Sequence, residues 1–375
     1  MSYMLRWDIF CKIVDNLGDI GVCWRLARQL HMEHGLQVKL WIDDLSVARR
    51  VVPALDVTLQ KQVIQGITIV SWHAGTMFDQ AAEVVIEAFG CELPPAYLDA
   101  MSQKRSKWVN LEYLSAEPWV ADFHAKPSPR PQHNLTRHFY FPGFTEATGG
   151  LIRERNIVEQ NQLFANDVQL QDAFWKRLNL AHDAHIKISL FYYPHAPVHD
   201  LLTIMASGQQ TADCYVPASS DLQQIARFFD KDVIVAGENL THKNLHLHVL
   251  PFLSHQDYDQ LLAVCDINFV RGEDSWIRAI WAGKPFIWQP YFQTENTHMK
   301  KLDAFLEVFY AHSDAKQVAC EAHRYWSAGQ MPETAWNHFL NALPALRHHA
   351  RQKAQQLAEQ PDLASKLVIF CNKIQ

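Results

Sequence analysis

The sequence predicts an α/β protein built from two doubly wound domains. Three observations carry that prediction. Short apolar runs rich in Ile, Val, Phe and Trp alternate with longer helix-periodic stretches, the pattern of a parallel sheet with crossover helices. The series occurs twice, separated by a polar, charge-rich stretch, and 375 residues suit two domains of about 100–200 residues each better than one.

In chain order, the first series of strands falls at residues 7–14, 37–42, 67–72, 84–88 and 107–111. Between the first two, residues 20–34 place Val22, Leu26 and Leu30 on one stripe with Trp24 and Ala27 beside it. That is an amphipathic helix, and Gly35 stops it. Residues 126–131 hold three prolines and read as a surface loop. Residues 151–184 read as linker helices. The second series of strands falls at 186–193, 213–216, 245–250, 267–270 and 285–288, with helices around 257–264, 274–281 and 296–310. The expected domains are therefore 1–150, a linker at 151–184, a second domain at 185–336, and a helical segment at 337–375 that packs back toward the first.

Composition limits the function. Lys plus Arg number 34 against 40 Asp plus Glu, a formal charge of −6 that disfavours a general nucleic-acid binder. Twelve Trp, 20 Phe and 11 Tyr supply a large apolar core. The start lacks a basic region followed by an apolar one, and no stretch approaches the ~18 apolar residues of a membrane span, so the expected location is cytoplasmic, with no membrane partner. Seven widely spaced cysteines read as reduced thiols. The pairs His246/His248 and His348/His349 lack a second pair at ligand spacing, so no metal site is expected.

Two strand-to-helix turns carry candidate chemistry, because ligands of open parallel sheets bind beyond the carboxyl ends of the strands. Asp15-Asn16-Leu17-Gly18-Asp19-Ile20-Gly21 follows the first strand. Its glycines lack dinucleotide spacing, and its two acids suit a general base with a positioning partner; the alternative is that Asp15 or Asp19 caps the helix. Arg271-Gly272-Glu273-Asp274-Ser275 opens a helix in the second domain, where backbone amides, the Ser275 hydroxyl and Arg271 can hold a diphosphate. The alternative there is an ordinary N-cap at Asp274 or Ser275, with Glu273 paired to Arg271. Phe191 and Tyr193, at the end of the second domain's first strand, either stack on a base or sugar or belong to the core. Asp43-Asp44 reads as a helix N-cap, and the segment 111–117 as a possible acceptor contact.

On these residues the chain resembles the bacterial protein-arginine rhamnosyltransferases that modify elongation factor P. The likeness covers most of the chain and is strongest at 7–30, 111–117, 149–155 and 252–293. It implies a GT-B glycosyltransferase, with two Rossmann-like doubly wound domains facing a central cleft. It also implies transfer of L-rhamnose from dTDP-β-L-rhamnose to one arginine of elongation factor P, activating that factor for rescue of ribosomes stalled at polyproline. Inversion at the sugar carbon and no cofactor or metal belong to the same implication. Asp19 then matches the catalytic base and Asp15 the second acid of its motif, with Glu273 grouped beside them. Arg271, Glu273, Asp274 and Ser275 match the donor motif, while Phe191, Tyr193, Phe252 and Gln256 would surround the thymine and sugar. Trp288, Tyr291 and Gln293 also match, although Gln289-Pro290-Tyr291-Phe292-Gln293 departs from the family's usual sequence. The alternatives are a GT-B enzyme acting on a small molecule, a nucleotide-sugar epimerase, or a non-catalytic scaffold that binds elongation factor P.

Overall fold

β1 (Arg6–Cys11) is buried over almost its whole length, as a strand covered on both faces must be. It pairs in parallel with β2 (Gln37–Ile42) through the crossover helix Leu17–His34. The computed structural model, which describes residues 5–14, 17–73, 75–180 and 185–374, extends this start into one of two units. The first comprises Met1–Arg155 and Ala358–Gln375, the second Asn156–Leu357.

Among the described residues, the first unit adds β3 (Lys61–Ile64), β4 (Ile67–Ser71), β5 (Val84–Ala88), β6 (Lys107–Leu111), β7 (Pro127–Arg130) and β8 (Leu135–Tyr140). The sheet order is β3-β4-β2-β1-β5-β6-β8-β7. Only its edge pairs, β3 with β4 and β7 with β8, are antiparallel. Chain order reverses beside β1, whose neighbours are β2 on one side and β5 on the other, and this is the topological switch point of the sheet.

The second unit holds β9 (Ile186–Leu190), β10 (Ala212–Pro217), β11 (Asn239–His242), β12 (Leu245–Leu250), β13 (Ile267–Arg271) and β14 (Phe286–Gln289) in the order β11-β12-β10-β9-β13-β14. Here the switch point lies beside β9, between β10 and β13. No described helix is long and apolar enough to cross a membrane.

Three expectations change. Residues 127–130 form the edge strand β7 rather than a loop. The Lys126 carbonyl accepts from Phe139 N–H, so even-numbered positions face β8. Pro127 and Pro129, one residue out of phase, turn their missing donors outward, where an edge strand tolerates them. Next, the helices Ile157–Asn166 and Val168–Arg177 are part of the second unit rather than a free linker. Phe164, Phe174 and Trp175 are buried with Tyr215, Leu250 and Leu261, and Asn161 Nδ2 donates to the Trp281 carbonyl at 3.1 Å.

Finally, the segment 337–375 is divided. Helices Glu333–Asn341 and Leu343–Ala358 lie essentially within the second unit, and only Leu363–Lys373 is wholly in the first. Asp362 caps this last helix and also accepts from Gln29 Nε2 at 3.0 Å. Leu363 N–H donates to the Leu151 carbonyl at 2.8 Å, and Lys107 Nζ to the Cys371 carbonyl at 2.8 Å. Gly150 makes the approach possible: at φ 77°, any Cβ there would meet the Pro361 carbonyl oxygen at 2.7 Å. The described cysteines are all buried thiols, and none of them forms a disulfide.

Candidate active site

In the first unit, β1 runs out at Cys11 and the helix Leu17–His34 begins six residues later. Asp15 lies outside the described residues. Asp19 stands in the first helical turn, where a carboxylate is favoured by the positive end of the helix dipole, and is 1% exposed. Its Oδ2 accepts from Val14 N–H at 2.8 Å and its Oδ1 from the Tyr113 hydroxyl at 3.2 Å. A buried carboxylate needs such donors. Tyr113 follows β6 and stacks on Phe89, which follows β5, at 4.3 Å and 14°. Three strand ends of the switch point thus meet at Asp19. Tyr113 is 38% exposed, so this constellation is not sealed.

Neighbouring acids hold the frame. Asp43 Oδ1 accepts from Ile13 N–H at 3.0 Å, tying the chain after β1 to the end of β2. Asp44 caps the helix Leu45–Val51 through the amides of Ser46 and Val47, as the sequence predicts. In the segment 111–117, burial pushes the Glu112 carboxyl upward, helped by Glu87 and opposed chiefly by Arg137, while Ser115 and Glu117 bond each other.

In the second unit, Arg271 closes β13 and Gly272 turns the chain at φ 63° into the helix Asp274–Ala282. The Arg271 guanidinium carbon lies 4.2 Å from the ring centre of Phe191 and 4.7 Å from that of Tyr193. Nη1 donates to the Tyr192 carbonyl at 2.7 Å. One cation therefore supports both aromatic residues at the end of β9. Phe191 also meets Tyr258 edge-on at 5.9 Å, and Tyr193 meets Tyr291 at 5.6 Å.

Neither Asp274 nor Ser275 is the N-cap of this helix. The cap position is Glu273, which makes no side-chain capping bond. The Ser275 hydroxyl instead accepts from Arg271 N–H at 3.1 Å and donates to the Arg271 carbonyl, closing its own turn. Trp288 Nε1 donates to the Gly272 carbonyl at 2.7 Å and stacks on Trp276 at 3.7 Å. Both indoles brace the turn from beneath.

Phe252 and Gln256, both exposed, follow β12 at the same edge of the sheet. Gln256 occupies the first turn of the helix His255–Val264, capped by Ser254. Phe191, Tyr193, Phe252, Gln256 and the 271–275 turn thus share the carboxyl-end edge of one sheet.

Three contacts that support the candidate residues were missed in the sequence. Tyr113 sits in a segment read as an acceptor contact, but its bond to Asp19 spans 94 positions. Gln289 is fully buried: its Oε1 accepts from Tyr193 N–H at 2.9 Å, while its Nε2 has no hydrogen-bond partner. Arg278 and Asp259 make a bidentate buried pair, at 2.9 and 2.8 Å, that locks the helix Asp274–Ala282 to the helix carrying Gln256. The signal for that pair was an Arg and an Asp on apolar helix faces.

Two doubly wound units, each with its candidate residues at the carboxyl ends of the strands, have the GT-B glycosyltransferase fold. Solved structures agree: the glycosyltransferase SnogD from Streptomyces nogalater superposes with a TM-score of 0.52 at 12% identity, covering 98% of this chain and 99% of that one. A structure described as the basis for EarP-mediated arginine glycosylation of translation elongation factor EF-P superposes with a TM-score of 0.72 at 32% identity, covering 99% of this chain and 100% of that one.

The model of the family Elongation-Factor P (EF-P) rhamnosyltransferase EarP matches residues 7–372. The protein-arginine rhamnosyltransferase of Pseudomonas aeruginosa is 41% identical over 372 residues, 98% of this chain and 99% of its own length. The chain belongs to the EarP family of elongation factor P rhamnosyltransferases. That assignment decides against the small-molecule, epimerase and scaffold readings.

Proposed function

We propose that this cytoplasmic enzyme moves L-rhamnose from dTDP-β-L-rhamnose to one arginine side chain of elongation factor P, with inversion at the sugar carbon and without a catalytic metal, so equipping the factor to rescue ribosomes stalled at polyproline. The observation that carries the reading is the Asp19 carboxylate at the first unit's switch point, buried yet held by one backbone N–H and one hydroxyl.

The acceptor sets the demand. A guanidinium has a pKa above ~12 and is a poor nucleophile, so a carboxylate must orient it, offset its charge and take a proton as the nitrogen bonds to the sugar. Asp19 is that base and Asp15 its partner acid. The bond from the sugar carbon to the diphosphate breaks on the opposite face, and the proton leaves the guanidinium for Asp19.

The leaving diphosphate gathers negative charge. Arg271 and the amides of the turn through Asp274 and Ser275 carry it, a role that a helix start suits. Ser275 contributes by fixing the turn, since its hydroxyl is bonded to Arg271 backbone atoms. Phe191, Tyr193, Phe252 and Gln256 take the thymine and sugar, and Gln256 offers the paired donor and acceptor that an imide edge requires. Glu273, in the same turn, is assigned both to the donor motif and to the reacting centre.

Intact-mass spectrometry of elongation factor P after incubation with this protein and dTDP-β-L-rhamnose tests the reaction. A gain of one deoxyhexose, absent when the acceptor arginine is lysine, is the expected result; no gain with the donor shown to bind would refute it. For the donor site, Glu273→Ala and Ser275→Ala should each weaken dTDP binding by calorimetry. Unchanged affinity in both would move the donor elsewhere.

A further inference from the structure

We propose that His185, Asp213 and His246 form a binding site for one zinc ion at the strand-start edge of the second unit's sheet. His185 immediately precedes β9, and Asp213 and His246 are each second in β10 and β12. Because β10 lies between β9 and β12, the three come side by side, with Asp213 and His246 register partners. No spacing rule along the chain would gather them.

The geometry is near a zinc site. His185 Nδ1 lies 3.0 Å from Asp213 Oδ2, and His246 Nδ1 lies 3.5 Å from Asp213 Oδ1. One ligand atom from each residue falls within 4.8 Å of the others. Tetrahedral bonds of about 2.0–2.2 Å place neighbouring donors about 3.3–3.6 Å apart, and because the two contacts fall on different carboxylate oxygens, a small turn of the carboxylate brings one oxygen between both rings. Closing the histidine pair needs ring rotation, and side chains 30% and 32% exposed have room for it. Two imidazole nitrogens and a carboxylate oxygen form a borderline donor set that suits zinc, with a fourth position left for water.

The carboxylate is held in place by a third histidine. His248 acts from behind: its Nε2 lies 3.0 Å from Asp213 Oδ1, its Nδ1 2.7 Å from Asn239 Oδ1, and its ring stacks on Tyr215. Outer partners of this kind orient metal ligands. The site stands at the opposite end of β9 from Phe191, six residues or about 20 Å away at a strand's rise per residue, so its ion would tie strand starts together and take no part in the transfer.

The test uses the full-length chain without an affinity tag, treated with chelator, dialysed, and titrated with zinc chloride against a chromophoric chelator near neutral pH. The wild type should bind one ion, gain thermal stability with it, and show a four-coordinate visible spectrum with cobalt. The double variant His185→Gln, His246→Gln alters only part-exposed side chains. It should keep its circular dichroism and transfer rate but lose at least about tenfold in zinc affinity, together with the cobalt bands and the stability gain. No binding by the wild type would overturn the proposal. So would equal affinity and stoichiometry in the double variant, which would place the ion on others of the 20 histidines.

Discussion

The two switch points share a topology and differ in charge. Beside β1 the chain presents a buried carboxylate, Asp19, fixed by the Val14 amide and the Tyr113 hydroxyl. Beside β9 it presents a guanidinium, Arg271, set against Phe191 and Tyr193 and followed by a helix whose cap residue makes no side-chain capping bond. A diphosphate is repelled by the first arrangement and attracted by the second, whereas a cationic arginine acceptor has the reverse preference. On the proposed function, the same backbone geometry serves opposite substrates, and the few residues after each central strand decide which.

The comparison can be broken from either side. The largest expected effect is in Asp19→Asn, which keeps an acceptor for Val14 N–H but removes the base: turnover should fall by about 10²–10⁴-fold with dTDP affinity unchanged. Comparable turnover would remove Asp19 from the chemistry. In the second unit, Arg278→Met removes the bidentate guanidinium partner of the buried Asp259 and should cost about 3–5 kcal/mol in urea unfolding, with the loss confined to stability and donor binding.

Acid sharpens the contrast through His323. Burial lowers this imidazole to about 4, against its ordinary 6.5, so the unfolded chain binds the proton first. Stability contributed by the neutral ring is complete above pH 6.5 and lost as pH falls toward 4, by up to about 3 kcal/mol. His323→Gln should flatten that part of the unfolding free-energy profile; an unaltered slope would contradict the assignment. The smallest effect is in Tyr113→Phe, which removes one hydrogen bond to Asp19. It should lower kcat several-fold, for a bond worth about 1 kcal/mol, with the donor dissociation constant unmoved.

The central parallel strands were legible because both faces are covered and their apolar runs are continuous, as at 84–88. The edge strands β3 and β11 were not, since their short, polar and largely exposed sequences resemble loops. β7 was hidden by its prolines, whose compatibility depends on which side the partner lies. Asp19 and Arg271 could be found from their places after a strand, which is where a parallel sheet binds. Their partners could not: Tyr113 reaches Asp19 across 94 positions, and the Arg278–Asp259 pair joins two helices that the sequence gives no reason to place together. The zinc ligands come from three strand starts, so a search for paired histidine spacings passes over them.

Hydrogen–deuterium exchange of the full chain with and without dTDP tests the division of labour most directly. The account predicts slowed exchange in peptides covering residues 189–195, 252–257 and 271–277, with the smallest change in those covering 17–24 and 111–117. Protection centred on 17–24 and 111–117, with the second-unit peptides unchanged, would contradict it.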